Sequence, residues 1–344
     1  MKLIYSDKNS KIYFGDSFNK DVAGILNKNG LIHKKIILLT GYKSFTKSKY
    51  YERLKNILDK NDITVVKHIK VKPNPNKDVV LRALSKSNYI FDFIFAIGGG
   101  SVIDAGKLIK HHFNNSAKLL TIYTLLGSAT AVSPFAIFNN NEFKIGIGDN
   151  NLIPNYSYIN SQIISSINTR RRIIAVSDIF AHATESLYSK ESNTVSRNKS
   201  KMALKILISS KIEDLSLINF VKSDIYAGLG ERVGLVLFPH AASHYLTYKF
   251  NIPHGIATMY FLPQYLKLLL SKGVDVDSKH IQYAKYLESI LKDQKMIKKI
   301  SLSEKEVNAL FTLSHKYMVF SYQNAPIVIK QEEYEMLLKD YVKK

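Results

Sequence analysis

The run "YIFDFIFAIGGG" (89–100), continued by "SVIDAGKLIKHHF" (101–113), decides how the chain folds. An apolar, aromatic-rich stretch reads as a buried strand and the segment after the glycines as a helix, so the two form a strand–turn–helix unit. Gly98, Gly99, Gly100 and Ser101 occupy the turn. Bare backbone N–H groups at a helix start attract a phosphate, so the turn reads as a diphosphate cradle, with Ser101 as N-cap. The plainer reading is a tight turn that needs positive φ. The spacing matches neither the Rossmann fingerprint nor a P-loop. Asp104 and Lys107 follow on the helix, placed either to orient a ligand or to form an exposed i,i+3 pair.

Working outward, "KKIILLTG" (34–41), "ITVVKHI" (63–69) and "KLLTIYT" (118–124) read as further strands. "KYYERLKNILDKN" (49–61) and "KDVVLRALSKS" (77–87) read as helices between them. Such alternation implies an α/β domain, a parallel sheet with flanking helices. From about residue 165 the period changes to three- and four-residue spacing in 170–189, 196–212, 263–273 and 303–318. The expected organisation is therefore an α/β nucleotide-binding domain over 1–163 and an all-α domain over 164–344, with substrate between them. At the end of the first strand, Gly41 stands where a ribose-binding acid often sits, followed by Lys43 and Ser44. An uncharged turn beside a cation suits a 2′-phosphate, which favours NADP over NAD.

Composition narrows the class. The chain has 344 residues, 46% of them hydrophobic and 22% charged, as expected of a globular protein. Its start carries no secretory signal and no apolar run is long enough for a bilayer, so a cytoplasmic protein with no membrane partner is expected. With no cysteine, a metal here takes nitrogen and oxygen ligands. The net charge of +21 suggests nucleic acid, but the basic residues are scattered lysines and the clusters "TRRR" (169–172) and "KMIKK" (295–299) are short. A solvated basic surface that attracts an anionic substrate is the expected reading, with no nucleic-acid partner.

Four side chains suggest a metal site. Asp178 and His182 lie four apart in a helical run, so they share a face. In "FPHAASHYLTYKFNIPHG" (238–255), His240 and His254 each follow a proline, which suits the first turn of a helix. One carboxylate and three imidazoles suit Fe²⁺ or Zn²⁺. For Asp178 and His182 alone, a hydrogen-bonded i,i+4 pair is the competing reading, and a lone histidine is more often an interior residue. His244, four residues after His240, is a candidate proton relay or a packing residue.

"FAIGGGSVIDAGK", "SDIFAHATE" and "PHAASHYLTYKFNIPHG" together resemble the signature regions of the iron-containing (group III) alcohol dehydrogenases, of the dehydroquinate synthase-like superfamily. The similarity is collinear from about residue 35 to 270. It implies an N-terminal dinucleotide-binding domain and a C-terminal helical domain with the metal in the cleft. It places the metal ligands on Asp178, His182, His240 and His254, and the diphosphate turn on Gly98, Gly99, Gly100 and Ser101, with Asp104 and Lys107 nearby. Lys144 of "EFKIGIG" corresponds to a cofactor-contacting lysine. The family's cofactor-lining "TTAGTGSE" corresponds to "TLLGSATA" (124–131): Thr124 and Gly127 are kept, while Leu125 and Ala131 replace Thr and Glu. The family's "DP" reads Asn160-Ser161. "PHAASHYLTYKFNIPHG" and "SPFAIF" look most like the phosphonoacetaldehyde reductase-like branch.

The resemblance implies reversible hydride transfer between NADP(H) or NAD(H) and a small aldehyde or alcohol. Phosphonoacetaldehyde is the foremost substrate, and the enzyme is expected as a homodimer. Two other readings stand beside it: a carbocycle-forming lyase that uses NAD within one turnover, and a basic nucleic-acid-binding protein.

Overall fold

The structure is a computed structural model, describing residues 1–42, 45–85, 89–113, 116–338 and 341, and of residue 335 the backbone alone. Lys43 and Ser44, expected at a cofactor phosphate, lie outside the described residues. In chain order the first half runs β1 (Lys2–Ser6), β2 (Lys11–Gly15), α1 (Phe18–Lys28), β3 (Lys35–Gly41), α2 (Lys49–Lys60), β4 (Thr64–Val71) and α3 (Lys77–Ser85). Then come β5 (Phe93–Gly98), α4 (Gly100–Phe113), β6 (Lys118–Tyr123), β7 (Phe135–Asn139), β8 (Lys144–Gly148), β9 (Tyr156–Asn160) and α5 (Ser161–Ser165). The second half is helical: α6 (Thr169–Tyr188), α7 (Thr194–Ile208), α8 (Leu217–Gly234), α9 (Phe238–Phe250) and α10 (His254–Met259). It ends with α11 (Leu262–Ser271), α12 (Ser278–Asp293), α13 (Glu304–Tyr317), α14 (Val319–Gln323) and α15 (Gln331–Leu338). No described helix is long and apolar enough to cross a membrane.

The chain forms two compact units. One comprises 1–126, 130–142 and 146–167; the other comprises 127–129, 143–145 and 168–344.

The first unit is built on a seven-stranded sheet of order β1-β2-β9-β6-β5-β3-β4. Only the β1–β2 pair is antiparallel, and every other pairing is parallel. β5 is buried along its whole length, as a central parallel strand covered on both faces must be. Its pairing begins at Phe93, so the strand is shorter than its apolar run. One face of the sheet packs Phe93, Phe95, Leu38 and Ile122 against Val22, Ile25, Leu54 and Leu58 of α1 and α2. The chain leaves β3 toward β4 and returns on the other side to β5, so the strand order switches direction between β3 and β5. The carboxyl ends at that switch are Gly41 and Gly98, on neighbouring strands. Such a switch point is where open parallel sheets bind ligands.

Gly24, in the interior of α1, supports an independent expectation. A Cβ there would meet nothing nearer than 3.9 Å. Gly24→Ala should therefore stabilise the protein by about 0.5–1 kcal/mol, measured by denaturant unfolding.

In the second unit, α6 is buried from its second turn almost to its end, although it carries many polar residues. Its hydroxyls turn back onto the preceding turn: Ser177 donates to the Ile173 carbonyl and Thr184 to that of Phe180. Asn168 caps its start through the Arg171 N–H. The helix expected over 196–212 stops at Ile208, where Ser209 closes it. Pro239 lies in the first turn of α9, whereas Pro253 is the cap residue just outside α10.

Candidate active site

In the first unit, the glycine turn is tighter than its sequence suggested. Gly98 and Gly99 do not adopt left-handed φ, so the positive-φ explanation fails for them. Gly98 is required by packing instead, since a Cβ would lie 2.4 Å from a Val102 methyl in the first turn of α4. Ser101 is not the N-cap: α4 begins at Gly100, and the Ser101 hydroxyl accepts the Asn74 N–H at 3.2 Å. The Gly98 carbonyl accepts the Thr124 N–H at 3.0 Å, which fixes the end of β6 beside the turn.

Asp104 and Lys107 are not an exposed pair. Both are buried, and the Lys107 ammonium donates to the carbonyls of Ser133 and Phe135 at 2.8 and 2.7 Å. A buried ammonium needs such partners, which makes Lys107 a strut between α4 and β7.

In the second unit, three helices bring four polar groups together. Asp178 and His182 stand one turn apart on α6, His240 is in the first turn of α9, and His254 is the first residue of α10. Asp178 Oδ1 lies 3.8 Å from His240 Nε2, 3.8 Å from His254 Nε2 and 4.0 Å from His182 Nε2. These separations exceed hydrogen-bonding distance. Asp178 Oδ1 and His240 Nε2 are buried without a hydrogen-bond partner. Leaving such atoms unpaired costs about 1–3 kcal/mol each, so convergent orphan atoms of this donor type fit a shared cation. Asp178, His240 and His254 form a group whose ligand atoms lie within 4.8 Å of one another.

The outward-facing ring nitrogens show which way each imidazole points. His240 Nδ1 is 2.5 Å from Glu185 Oε1, a contact in which the ring donates. His182 Nδ1 lies 3.5 Å from Glu231 Oε2. His254 Nδ1 meets Ser243 Oγ at 3.3 Å, and that hydroxyl itself donates to the His240 carbonyl at 2.7 Å. For His240 and His254 the hydrogen-bond partner on Nδ1 suits an Nε2 lone pair, the form a cation needs, whereas His182 Nδ1 faces the Glu231 carboxyl without a hydrogen bond. Glu185, Glu231 and Ser243 were not singled out from the sequence. Glu185 did carry a signal, because 178, 182 and 185 follow the helical period.

Burial pushes His182 and His254 well below the ordinary histidine value of 6.5. It takes His240 to about 3, with the Lys144 charge adding to the effect. All three rings are therefore neutral at physiological pH. Burial raises Asp178 well above its ordinary value, against the opposing pull of Lys144. A cation in the cluster would reverse that penalty. The Asp178, His182 and His240 side chains are at most 10% exposed, while His254 keeps 21% of its surface open.

His244 belongs to this cluster, its ring 5.3 Å from that of His254. Its Nδ1–H donates to the Lys144 carbonyl at 2.9 Å, so Nε2 is the unprotonated nitrogen. Burial drives its pKa well below 6.5, with Lys144 reinforcing. Lys144 thus sits at the start of β8 with its charge felt at Asp178, His240, His244 and His254. Gly127 and Ala129 belong to the same unit, and their N–H groups both donate to Asp224 of α8 at 3.0 and 3.3 Å. Gly127 has φ +116 and Ala129 φ +54, so the carboxylate holds a left-handed turn in place. Burial lifts Asp224 to about 6.

Comparisons with known proteins agree with this architecture. The iron-containing alcohol dehydrogenase family model matches residues 9–161. The NADPH-dependent butanol dehydrogenase of Clostridium saccharobutylicum is 25% identical over 261 residues, 68% of this chain and 67% of that protein. Aldehyde-alcohol dehydrogenase 2 of Entamoeba histolytica is 23% identical over 67% of this chain, but the match spans only 31% of that longer protein. The crystal structure of the iron-containing alcohol dehydrogenase of Thermotoga maritima superposes with a TM-score of 0.81. That similarity covers 97% of this chain and 98% of that one at 21% identity, which shows a shared fold. The sheet, the helical unit and the sequence relatives agree: the chain is similar to the iron-containing alcohol dehydrogenase family of oxidoreductases, whose family model matches residues 9–161, and it shares the fold of that family's solved structures.

Proposed function

We propose that the chain is a metal-dependent, NAD(P)H-linked aldehyde reductase, working reversibly as an alcohol dehydrogenase. The observation that carries this reading is the convergence of His182, His240 and His254 Nε2 on Asp178 Oδ1 inside a buried cluster. Those four residues would hold a divalent cation, Fe²⁺ or Zn²⁺, which when bound supplies Lewis acidity toward the carbonyl oxygen. NADPH, or NADH, supplies the hydride.

The chain's own residues bind, orient and move a proton. The N–H groups of the Gly98–Gly100 turn, at the sheet's switch point beside Gly41, would receive the cofactor diphosphate. Ser101, Asp104 and Thr124 would complete the cofactor-binding set around that turn. Gly127, held by Asp224, and Lys144 are the cofactor-binding candidates that the second unit carries. His244 would pass a proton to the substrate oxygen through Nε2, while the Lys144 carbonyl fixes its Nδ1–H. Its Nε2 holds no proton of its own, so the proton it passes on would come from solvent. Each turnover adds one hydride and one proton to the aldehyde, giving the alcohol and NAD(P)⁺.

A small anionic aldehyde is the proposed substrate class, with phosphonoacetaldehyde reduced to 2-hydroxyethylphosphonate as the specific proposal. The net charge of +21 and the Lys144 charge at the cluster support it, as does the likeness of 239–255 to the phosphonoacetaldehyde reductase-like branch. The test strips the protein with a chelator, reloads Fe²⁺ or Zn²⁺, and follows nicotinamide absorbance with a panel of neutral and anionic aldehydes. Metal-dependent NAD(P)H consumption, fastest with the anionic aldehyde, is expected. A protein that binds no divalent metal at neutral pH would overturn the mechanism, and faster turnover of neutral aldehydes would overturn the substrate class.

A further inference from the structure

We infer that Glu185 is the positioning residue of the metal cluster: it holds His240 in the one tautomer that turns the Nε2 lone pair toward Asp178. This rests on the metal reading above and adds a residue that sets how strongly the site binds.

The geometry gives Glu185 two tasks. Its Oε1 takes the His240 ring proton at 2.5 Å. Its Oε2 accepts the backbone N–H of Leu237 at 2.7 Å and of His240 at 3.3 Å, closing the start of α9 where no side chain of α9 itself does so. One carboxylate on α6 therefore fixes both the backbone and the ring of a residue 55 positions later. Glu185 is 1% exposed, so water does not compete for these contacts. Asp178, His182 and Glu185 lie at i, i+4 and i+7 of one helix, so the same rigid element carries two ligand candidates and the brace for a third.

The partners of the other rings are weaker. His254 leans on a hydroxyl at 3.3 Å, and His182 stands 3.5 Å from its carboxylate. His240 is the ring with the shortest Nδ1 contact, 2.5 Å to a buried carboxyl that two backbone N–H groups hold in place. Removing such outer partners typically weakens metal binding by about 10–100-fold.

Glutamine separates the two tasks. Its oxygen can still accept the Leu237 and His240 N–H groups, leaving its NH₂ facing His240 Nδ1. The NH₂ cannot accept a proton, so the ring must move its own proton to Nε2, the nitrogen a metal needs. Glu185→Gln therefore keeps the cap and reverses the tautomer. Glu185→Asp keeps the charge but withdraws it by one methylene.

The experiment titrates the full-length, metal-stripped protein with Co²⁺ against a competing chelator and reads the His240 ring nitrogens by nitrogen-15 NMR. The expected result is Nδ1–H in the wild type and Nε2–H in Glu185→Gln. Co²⁺ affinity should fall about 10–100-fold in Glu185→Gln and by less in Glu185→Asp, while NADPH affinity stays unchanged. An Nδ1–H ring with wild-type Co²⁺ affinity in Glu185→Gln would overturn the inference. Failure of the wild type itself to bind Co²⁺ would instead overturn the metal reading, and the tautomer measurement would still decide the role of Glu185. Should Glu185→Gln fail to fold, wild-type Co²⁺ affinity in a folded Glu185→Asp would overturn the positioning role.

Discussion

Asp178→Asn should lose Co²⁺ and Fe²⁺ binding by more than the roughly 10–100-fold expected for an outer partner, because it removes the one carboxyl among the four candidate ligands. The same substitution should leave the metal-free protein as stable as the wild type, or more so. Burial raises the pKa of Asp178 well above 3.8, so the folded state favours its protonated form. A raised carboxyl contributes stability that is full below the unfolded value and is lost as pH rises through the folded one. At neutral pH the metal-free wild type therefore carries a penalty that Asn, neutral and nearly isosteric, does not. Thermal unfolding with and without metal reads both effects. A saturating metal at about a thousand times its dissociation constant adds about 4 kcal/mol to the wild type and should add almost nothing to Asp178→Asn. A metal-free variant that melts well below the metal-free wild type would mean Asp178 is a structural group. An undiminished metal-induced rise in Tm would mean the ligands lie elsewhere.

Local patterns made the sheet legible in the sequence and picked out the four candidate ligands that the structure brings together. β3, β5 and β6 announce themselves as apolar runs because central parallel strands are covered on both faces. Asp178 and His182 share a helix face, and the prolines before His240 and His254 mark chain entering helices. What escaped was non-local. Lys107 reads as an exposed helix lysine, yet its partners are carbonyls 26 and 28 residues away on a segment that covers α4. Ser101 reads as an N-cap, but the close Gly98–Val102 contact lets the helix start one residue earlier. Glu185, one turn beyond His182, has its partners 52 and 55 residues away at the start of α9. Glu231 carries no local signal, since only the crossing of α8 near α6 brings it to His182. The charge of Lys144 at the histidine cluster likewise follows from a chain reversal that no short-range period encodes.

The glycine after His254 tests the metal site without replacing a ligand candidate. A Cβ on Gly255 would lie 2.3 Å from the Ile174 carbonyl oxygen and 3.1 Å from Asp178 Cβ. The first obstacle is helix backbone and cannot rotate away, so α10 would have to retreat from α6. Overpacking of this kind costs about 1–3 kcal/mol. His254 begins α10, and Asp178 is the very residue against which the new methyl would press, so the retreat lengthens the 3.8 Å separation between their ligand atoms. Gly255→Ala should therefore lower Tm and, in the fraction that remains folded, weaken Co²⁺ binding. Gly24→Ala, in open space on α1, should raise stability and leave Co²⁺ affinity alone, which separates a general glycine effect from a local one. The decisive comparison is between Gly255→Ala and a destabilised variant of equal Tm remote from the cluster. If both bind Co²⁺ equally well, the contact between α10 and α6 does not set the site. If only Gly255→Ala binds weakly, the missing side chain at residue 255 is what allows an imidazole from one helix to meet a carboxylate from another.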